Sequence, residues 1–147
     1  MKLILWNIRG CCNPRKWKTL NRKVRQESPD ILFLQETKCS FEYMLKIKDK
    51  IWKGSQVMAT DAAGQSGGIA ILWHPRLVEL SNWRANKFSL MAYFCFPDLG
   101  VRGMTGNIYG LAASRLSSSF WVSSNGSKYL RFRSLGFLEE ISTSSLT

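Results

Sequence analysis

The sequence predicts a mixed α/β layered domain, and three observations predict it. Through residue 52, apolar runs of strand length alternate with capped, amphipathic helical segments. From residue 56 to 109 the pattern becomes a succession of apolar runs broken by Gly, Pro, Asn and Asp. The 147 residues, 45% hydrophobic and 21% charged, suit one domain with a buried core. Strand–helix–strand–helix followed by hairpins reads as layers, and one face of each sheet is expected to carry helices.

The elements follow in order. Lys2-Leu-Ile-Leu-Trp6 is a short apolar run, best read as a buried strand. Asn13-Pro14 starts a helix, because Asn caps the first free N–H groups and Pro suits the first helical position. That helix covers Arg15 to Gln26, with Trp17, Leu20 and Val24 as its apolar stripe, and Ser28-Pro29 stops it. Ile31-Leu-Phe-Leu-Gln35 is a second buried strand with Glu36 at its end. Ser40 caps a helix over Phe41–Trp52, whose inner side is expected to be Phe41, Met44, Leu45, Ile51 and Trp52. Gln56–Thr60, Gly68–Trp73, Leu77–Trp83, Phe88–Phe96 and Arg102–Tyr109 are then read as successive strands. Leu111 to Asn125 and Ser142 to Thr147 read as low-complexity or loop, and only Tyr129 to Ile141 could form a short element. The break is compositional: residues 111–147 hold eleven serines, against six in the first 110.

Charge is concentrated at the start. The chain carries a formal net charge of +11. Residues 1–56 hold 13 basic and 5 acidic groups, largely in Arg15–Arg25 and Lys46–Lys53. Two readings stand: solvated helix faces, or a surface that meets phosphate. An excess of this size favours an anionic partner. No apolar run approaches the roughly 18 residues of a membrane span, and no secretory leader is recognised, so a nuclear or cytoplasmic, non-secreted protein is expected. Cys11, Cys12, Cys39 and Cys95 form no C-x-x-C pair and His74 is the one histidine, which argues against structural zinc. All four cysteines are read as reduced thiols.

In open α/β folds, functional groups gather at the carboxyl ends of strands. Asn7 and Glu36 stand there, each after an apolar run. A carboxylate and a carboxamide offer two hard oxygen ligands, a set that Mg²⁺ tolerates because it keeps several waters. The plainer alternative is that Asn7 only turns the chain and Glu36 is a surface acid.

Four short words occur in order: Trp6-Asn7-Ile8-Arg9-Gly10, Leu34-Gln35-Glu36-Thr37-Lys38, Ser66-Gly67-Gly68-Ile69-Ala70-Ile71 and Gly106-Asn107-Ile108-Tyr109-Gly110. Together they resemble the amino-terminal half of the endonuclease/exonuclease/phosphatase family. The likeness is greatest to the apurinic-type endonuclease domain of non-LTR (LINE-type) retrotransposon polyproteins, especially plant ones. The resemblance implies a four-layered α/β sandwich, with mixed, largely antiparallel sheets, helices on the outer faces and an incomplete second half. It implies a Mg²⁺-dependent phosphodiesterase acting on DNA, with no membrane and no small-molecule cofactor. By the same resemblance Glu36 is the metal-binding glutamate and Asn7 helps order metal and phosphate. Tyr109 hydrogen-bonds the scissile phosphate, Asn107 is structural, and Gly67 and Gly68 serve packing. Arg9 stands where some DNA-repair members have an acid, a departure familiar in the retrotransposon branch.

Other parts of the family pattern are missing. No Asp is followed two places later by Asn, since the Asp residues are Asp30, Asp49, Asp61 and Asp98, and no Ser-Asp-His word occurs. His74, in Trp73-His74-Pro75, matches a loop and not a catalytic histidine. The expectation is therefore an amino-terminal part of the domain over residues 1–110, followed by a divergent, poorly ordered serine-rich tail over 111–147, with catalysis lost. The competing function is a non-catalytic remnant that binds nucleic acid weakly, and a phosphatase or phospholipase branch ranks third. Half a two-sheet sandwich is also expected to leave the inner face of its sheet without a partner, giving marginal folding or aggregation.

Overall fold

The computed structural model describes residues 2–64, 66–112, 115–124, 128–134 and 139–142, with side chains as far as Ile108. Strand β1 (Lys2–Asn7) leads to α1 (Pro14–Glu27), β2 (Ile31–Gln35) and α2 (Phe41–Ile51). Both helices are capped as the sequence indicates. Asn13 accepts from the Arg15 N–H at 2.9 Å, and Ser40 Oγ accepts from the Tyr43 N–H at 3.2 Å. Ser28 ends α1 in a left-handed conformation, φ 47°, with its N–H on the Val24 carbonyl.

Strands β3 (Gln56–Thr60), β4 (Ile69–Trp73) and β10 (Glu139–Ser142) complete the first sheet, in the order β10-β1-β2-β4-β3. β1 and β2 are parallel, with Leu3 opposite Ile31 and Asn7 opposite Gln35, and every other pairing is antiparallel. The second sheet holds β5 (Glu79–Ala85), β6 (Ser89–Phe96), β7 (Val101–Ala112), β8 (Arg115–Ser124) and β9 (Lys128–Ser134) in chain order.

Side-chain alternation assigns the two cores. Ile4, Leu32, Leu34, Ala70 and Leu72 face α1 and α2, where Leu20, Val24, Met44, Ile47 and Ile51 meet them. Leu3, Leu5, Ile31, Phe33 and Ile71 face the second sheet and meet Leu90, Ala92, Phe94 and Phe96 of β6. Burial on both faces explains why β1 and β2 read as unbroken apolar runs. β6 instead alternates, since it is covered on one side and Tyr93 on its other side is 52% exposed.

Several expectations need correction. The inner face of the first sheet does have a partner, because the second sheet packs on it through Phe33 and Phe94. Among the described residues, helices cover only the first sheet. Among those residues the outer face of the second sheet carries none and exposes Trp83 and Tyr93. The stretch from Leu111 to Asn125, read as loop, holds the end of β7 and all of β8, paired from Gly103↔Ser124 to Ala112↔Arg115. Backbone pairing with β7 supplies what no side-chain period announced. The compositional boundary at residue 110 therefore falls inside β7.

The inner side of α2 also differs. From Met44 the helical period runs through Ile47, 2% exposed, to Ile51, while Leu45 sits a rotation away and is 43% exposed. Ile47→Ala should accordingly cost about 3 kcal/mol of stability, and Leu45→Ala less than about 1 kcal/mol. Denaturant midpoints of the two variants check this, and equal losses would contradict the assigned face.

Candidate active site

Three of the four words meet at one end of the first sheet. Past the last strand pairs, the ladder continues through the loops: Ile8 N–H donates to the Gln35 carbonyl at 3.0 Å, Gly10 N–H to Glu36 at 2.7 Å and Cys11 N–H to Thr37 at 2.8 Å. On the other side Thr37 N–H donates to Gly68 at 3.1 Å and Lys38 N–H to Gly67 at 3.0 Å. The segment around Glu36 is thus sewn between the other two.

This junction concentrates left-handed backbone. Arg9, Glu36 and Lys38 have φ of 51°, 52° and 54°, and Gly10, Gly67 and Gly68 also lie at positive φ. Non-glycine residues held there cost of order 1–3 kcal/mol each, and such strain clusters at functional sites. At Glu36 the left-handed turn ends the strand alternation after Gln35.

The fourth word reaches the same place from the second sheet. Asn107 on β7 is fully buried and donates through Nδ2 to the carbonyls of Leu34, at 3.0 Å, and Ala70, at 3.3 Å. Its Oδ1 accepts from Gln35 Nε2 at 2.7 Å. Asn107 therefore ties the sheets together where the strands end, a structural part. Gln35 is the residue that sequence reading passed over. Its place in the Glu36 word was visible, but its partner lies 72 positions away. Gln35 Oε1 and the hydroxyls of Thr37 and Thr105 are buried without a partner among the described residues.

Asn7 and Glu36 stand at the carboxyl ends of two hydrogen-bonded parallel strands. Asn7 Oδ1 also accepts from the Arg9 N–H at 3.3 Å, so this side chain does turn the chain. Glu36 is buried to 8% exposure. Tyr109 lies on β7 opposite Ser118, and its side chain is outside the described ones. His74 follows β4 at the other end of the sheet, since Trp73 pairs with Ile31 at the start of β2. Its Nδ1 accepts from the Arg76 N–H at 3.3 Å, and its ring lies 6.2 Å from Trp52.

Among the described residues, no three His, Cys, Asp or Glu side chains gather to hold a metal. The donor chemistry of Glu36 and Asn7 nevertheless fits a hard divalent cation: one carboxylate and one carboxamide, both oxygen, leaving other positions to water and phosphate.

Known structures share this architecture. A Leishmania major AP endonuclease superposes with a TM-score of 0.58 at 20% identity, over 74% of this chain and 39% of that one. ANGEL2, a 2',3'-cyclic phosphatase, gives 0.57 at 12%, over 76% and 41%. The human Nocturnin catalytic domain gives 0.52 at 16%, over 71% and 47%. At these identities the likeness is one of fold, and the chain spans less than half the length of each. No curated protein matches the chain. No helix among the described residues is long and apolar enough to cross a membrane. The sequence matches the Endonuclease/Exonuclease/phosphatase family over residues 4–121, a stretch that runs past Gly110 and contains all four words. With its fold shared and its junction of strand ends built from those words, the chain belongs to the endonuclease/exonuclease/phosphatase family.

Proposed function

We propose that the chain is the amino-terminal part of a Mg²⁺-dependent DNA endonuclease of the LINE-type retrotransposon kind, and that by itself it does not turn over. The observation that carries this reading is the meeting of Asn7 and Glu36 at adjacent parallel strand ends inside a strained, hydrogen-bonded junction. Glu36 and Asn7 would hold the cation, and Tyr109 would donate its hydroxyl to a phosphate oxygen. The cation supplies charge neutralisation on the reacting phosphate. What this chain lacks is the means to activate water: it has neither an Asp-x-Asn nor a Ser-Asp-His word, and His74 is at the wrong end of the sheet. Loss of such groups typically costs orders of magnitude each.

In this reading the ancestral sequence runs past the expected boundary at residue 110, as far as the family match at residue 121. The rest of the serine-rich stretch has left it, by frameshift, mis-splicing or decay of the element. The three frames of the downstream nucleotides test that origin. A frame encoding an Asp-x-Asn word followed by Ser-Asp-His supports it, and three frames without them count against it.

A second reading, weak nucleic-acid binding without chemistry, is favoured by the exposed face of α1. Arg15, Lys18, Arg22 and Arg25 all point to solvent there. A supercoiled-plasmid assay tests the loss of turnover that both readings share. We expect no nicking with Mg²⁺, no change on adding EDTA or in Glu36→Ala, and DNA retention that weakens steeply with salt. Robust nicking abolished by Glu36→Ala would show an active enzyme.

A further inference from the structure

Beside the Glu36 junction lies a group of thiols that the proposed chemistry does not use. Cys12 Sγ and Cys39 Sγ approach to 2.9 Å, although the residues are 27 positions apart. Cys12 is exposed and Cys39 is 4% exposed, so only one of the two sulfurs is open to a reagent. The surrounding backbone fixes the approach. Cys11 N–H is bonded to the Thr37 carbonyl at 2.8 Å, Cys39 Sγ reaches the same carbonyl at 3.0 Å, and Cys12 Sγ reaches the Lys38 carbonyl at 3.6 Å. The third thiol, on Cys11, is fully buried and turned to the Met44 sulfur at 3.6 Å. No three such ligands converge for a metal among the described residues, so the sulfur pair is better suited to redox chemistry. A disulfide needs the sulfurs at about 2.05 Å, about 0.9 Å nearer than they stand.

We propose that Cys12 and Cys39 form a thiol–disulfide exchange site, entered at Cys12 by a low-molecular-weight disulfide and closed by Cys39 into a reversible bond. In the first step the Cys12 thiolate attacks one sulfur of the small disulfide. A mixed disulfide forms at Cys12, and one small thiolate leaves and takes up a proton. In the second step the Cys39 thiolate attacks Cys12 Sγ, the protein disulfide forms, and the second small thiolate leaves and is protonated. Two electrons pass from the protein to the small disulfide, which becomes two thiols.

The surroundings divide the roles. Hydrogen bonds from Cys11 and then Cys12 pull the Cys39 thiol down to about 6 against its burial. Burial, and then the bond to Cys39, push Cys12 up to about 11, so entry is favoured by raising the pH. The bond would cross-link the loop after β1 to the loop after β2, the two segments that bear Asn7 and Glu36 at their roots.

The full chain, treated with oxidised glutathione under native conditions, alkylated and peptide-mapped, tests the site. Its four free thiols should fall to two, with Cys12–Cys39 the pair formed, and reduced glutathione in excess should restore all four. Cys39→Ser should stop the reaction at a stable glutathione adduct on Cys12. Cys12→Ser should leave Cys39 unmodified, and Cys95→Ser should behave as the parent chain. The same oxidation in urea gives the reference for an unstructured chain. A native product with the mixed pairings seen in urea, or a glutathione adduct on Cys12 that Cys39 does not resolve, would overturn the proposal.

Discussion

Asn107→Leu should destabilise the fold by about 4 kcal/mol, among the largest losses expected of any single substitution in the chain. The side chain spends all its polar capacity inside the protein, on the Leu34 and Ala70 carbonyls and on the Gln35 amide. Leucine fills a similar volume and bonds to none of them. Gln35 is the chief casualty. It is fully buried and its Oε1 already lacks a partner among the described residues, so losing Asn107 leaves its amide only the longer bond from Nε2 to the Ile108 carbonyl, at 3.4 Å. Urea unfolding followed by circular dichroism checks this as a lower midpoint at unchanged slope. The double variant Gln35→Leu with Asn107→Leu sharpens the test. Removing both partners should recover part of the loss, a coupling that additive, independent sites would not show.

Gly68→Ala should cost about 4 kcal/mol, while Gly67→Ala, one residue earlier, should cost only about 1 kcal/mol. Both glycines are left-handed, at φ 73° for Gly67 and 86° for Gly68. Their surroundings differ. A Cβ on Gly67 meets nothing within 4 Å. A Cβ on Gly68 runs into Thr37 Oγ1 and comes within 3.2 Å of the Lys38 backbone nitrogen. The Lys38 nitrogen cannot yield easily, because its N–H is bonded to the Gly67 carbonyl, and the Thr37 hydroxyl stands on backbone whose N–H is bonded to Gly68 itself. The pair separates backbone strain, common to both, from collision, which belongs to Gly68. Equal losses would mean that the junction around Glu36 is looser than its hydrogen bonds imply.

The sequence by itself determined what depends on near neighbours. Caps at Asn13 and Ser40, the helix stop at Ser28-Pro29 and the apolar period of α1 all involve partners within a turn or two of chain. β1 and β2 were readable as buried strands because both their faces are covered, which leaves an unbroken apolar run. The four words were legible as words, and with them the family.

What only the tertiary structure decided is every relation between distant segments. The words do not say that Asn107 binds Gln35, that Glu36 turns left-handed, or that Cys12 meets Cys39. α2 could present Leu45 or Ile47 until the first sheet chose Ile47. β8 has no side-chain period to announce it and is made by hydrogen bonds to β7. Helices could have covered both sheets, yet among the described residues they cover one. The physical reason is common to all of these. Capping and amphipathic period are short-range energies written into adjacent residues, whereas sheet pairing, buried amide ties and sulfur contacts exist only after the chain has closed its long loops.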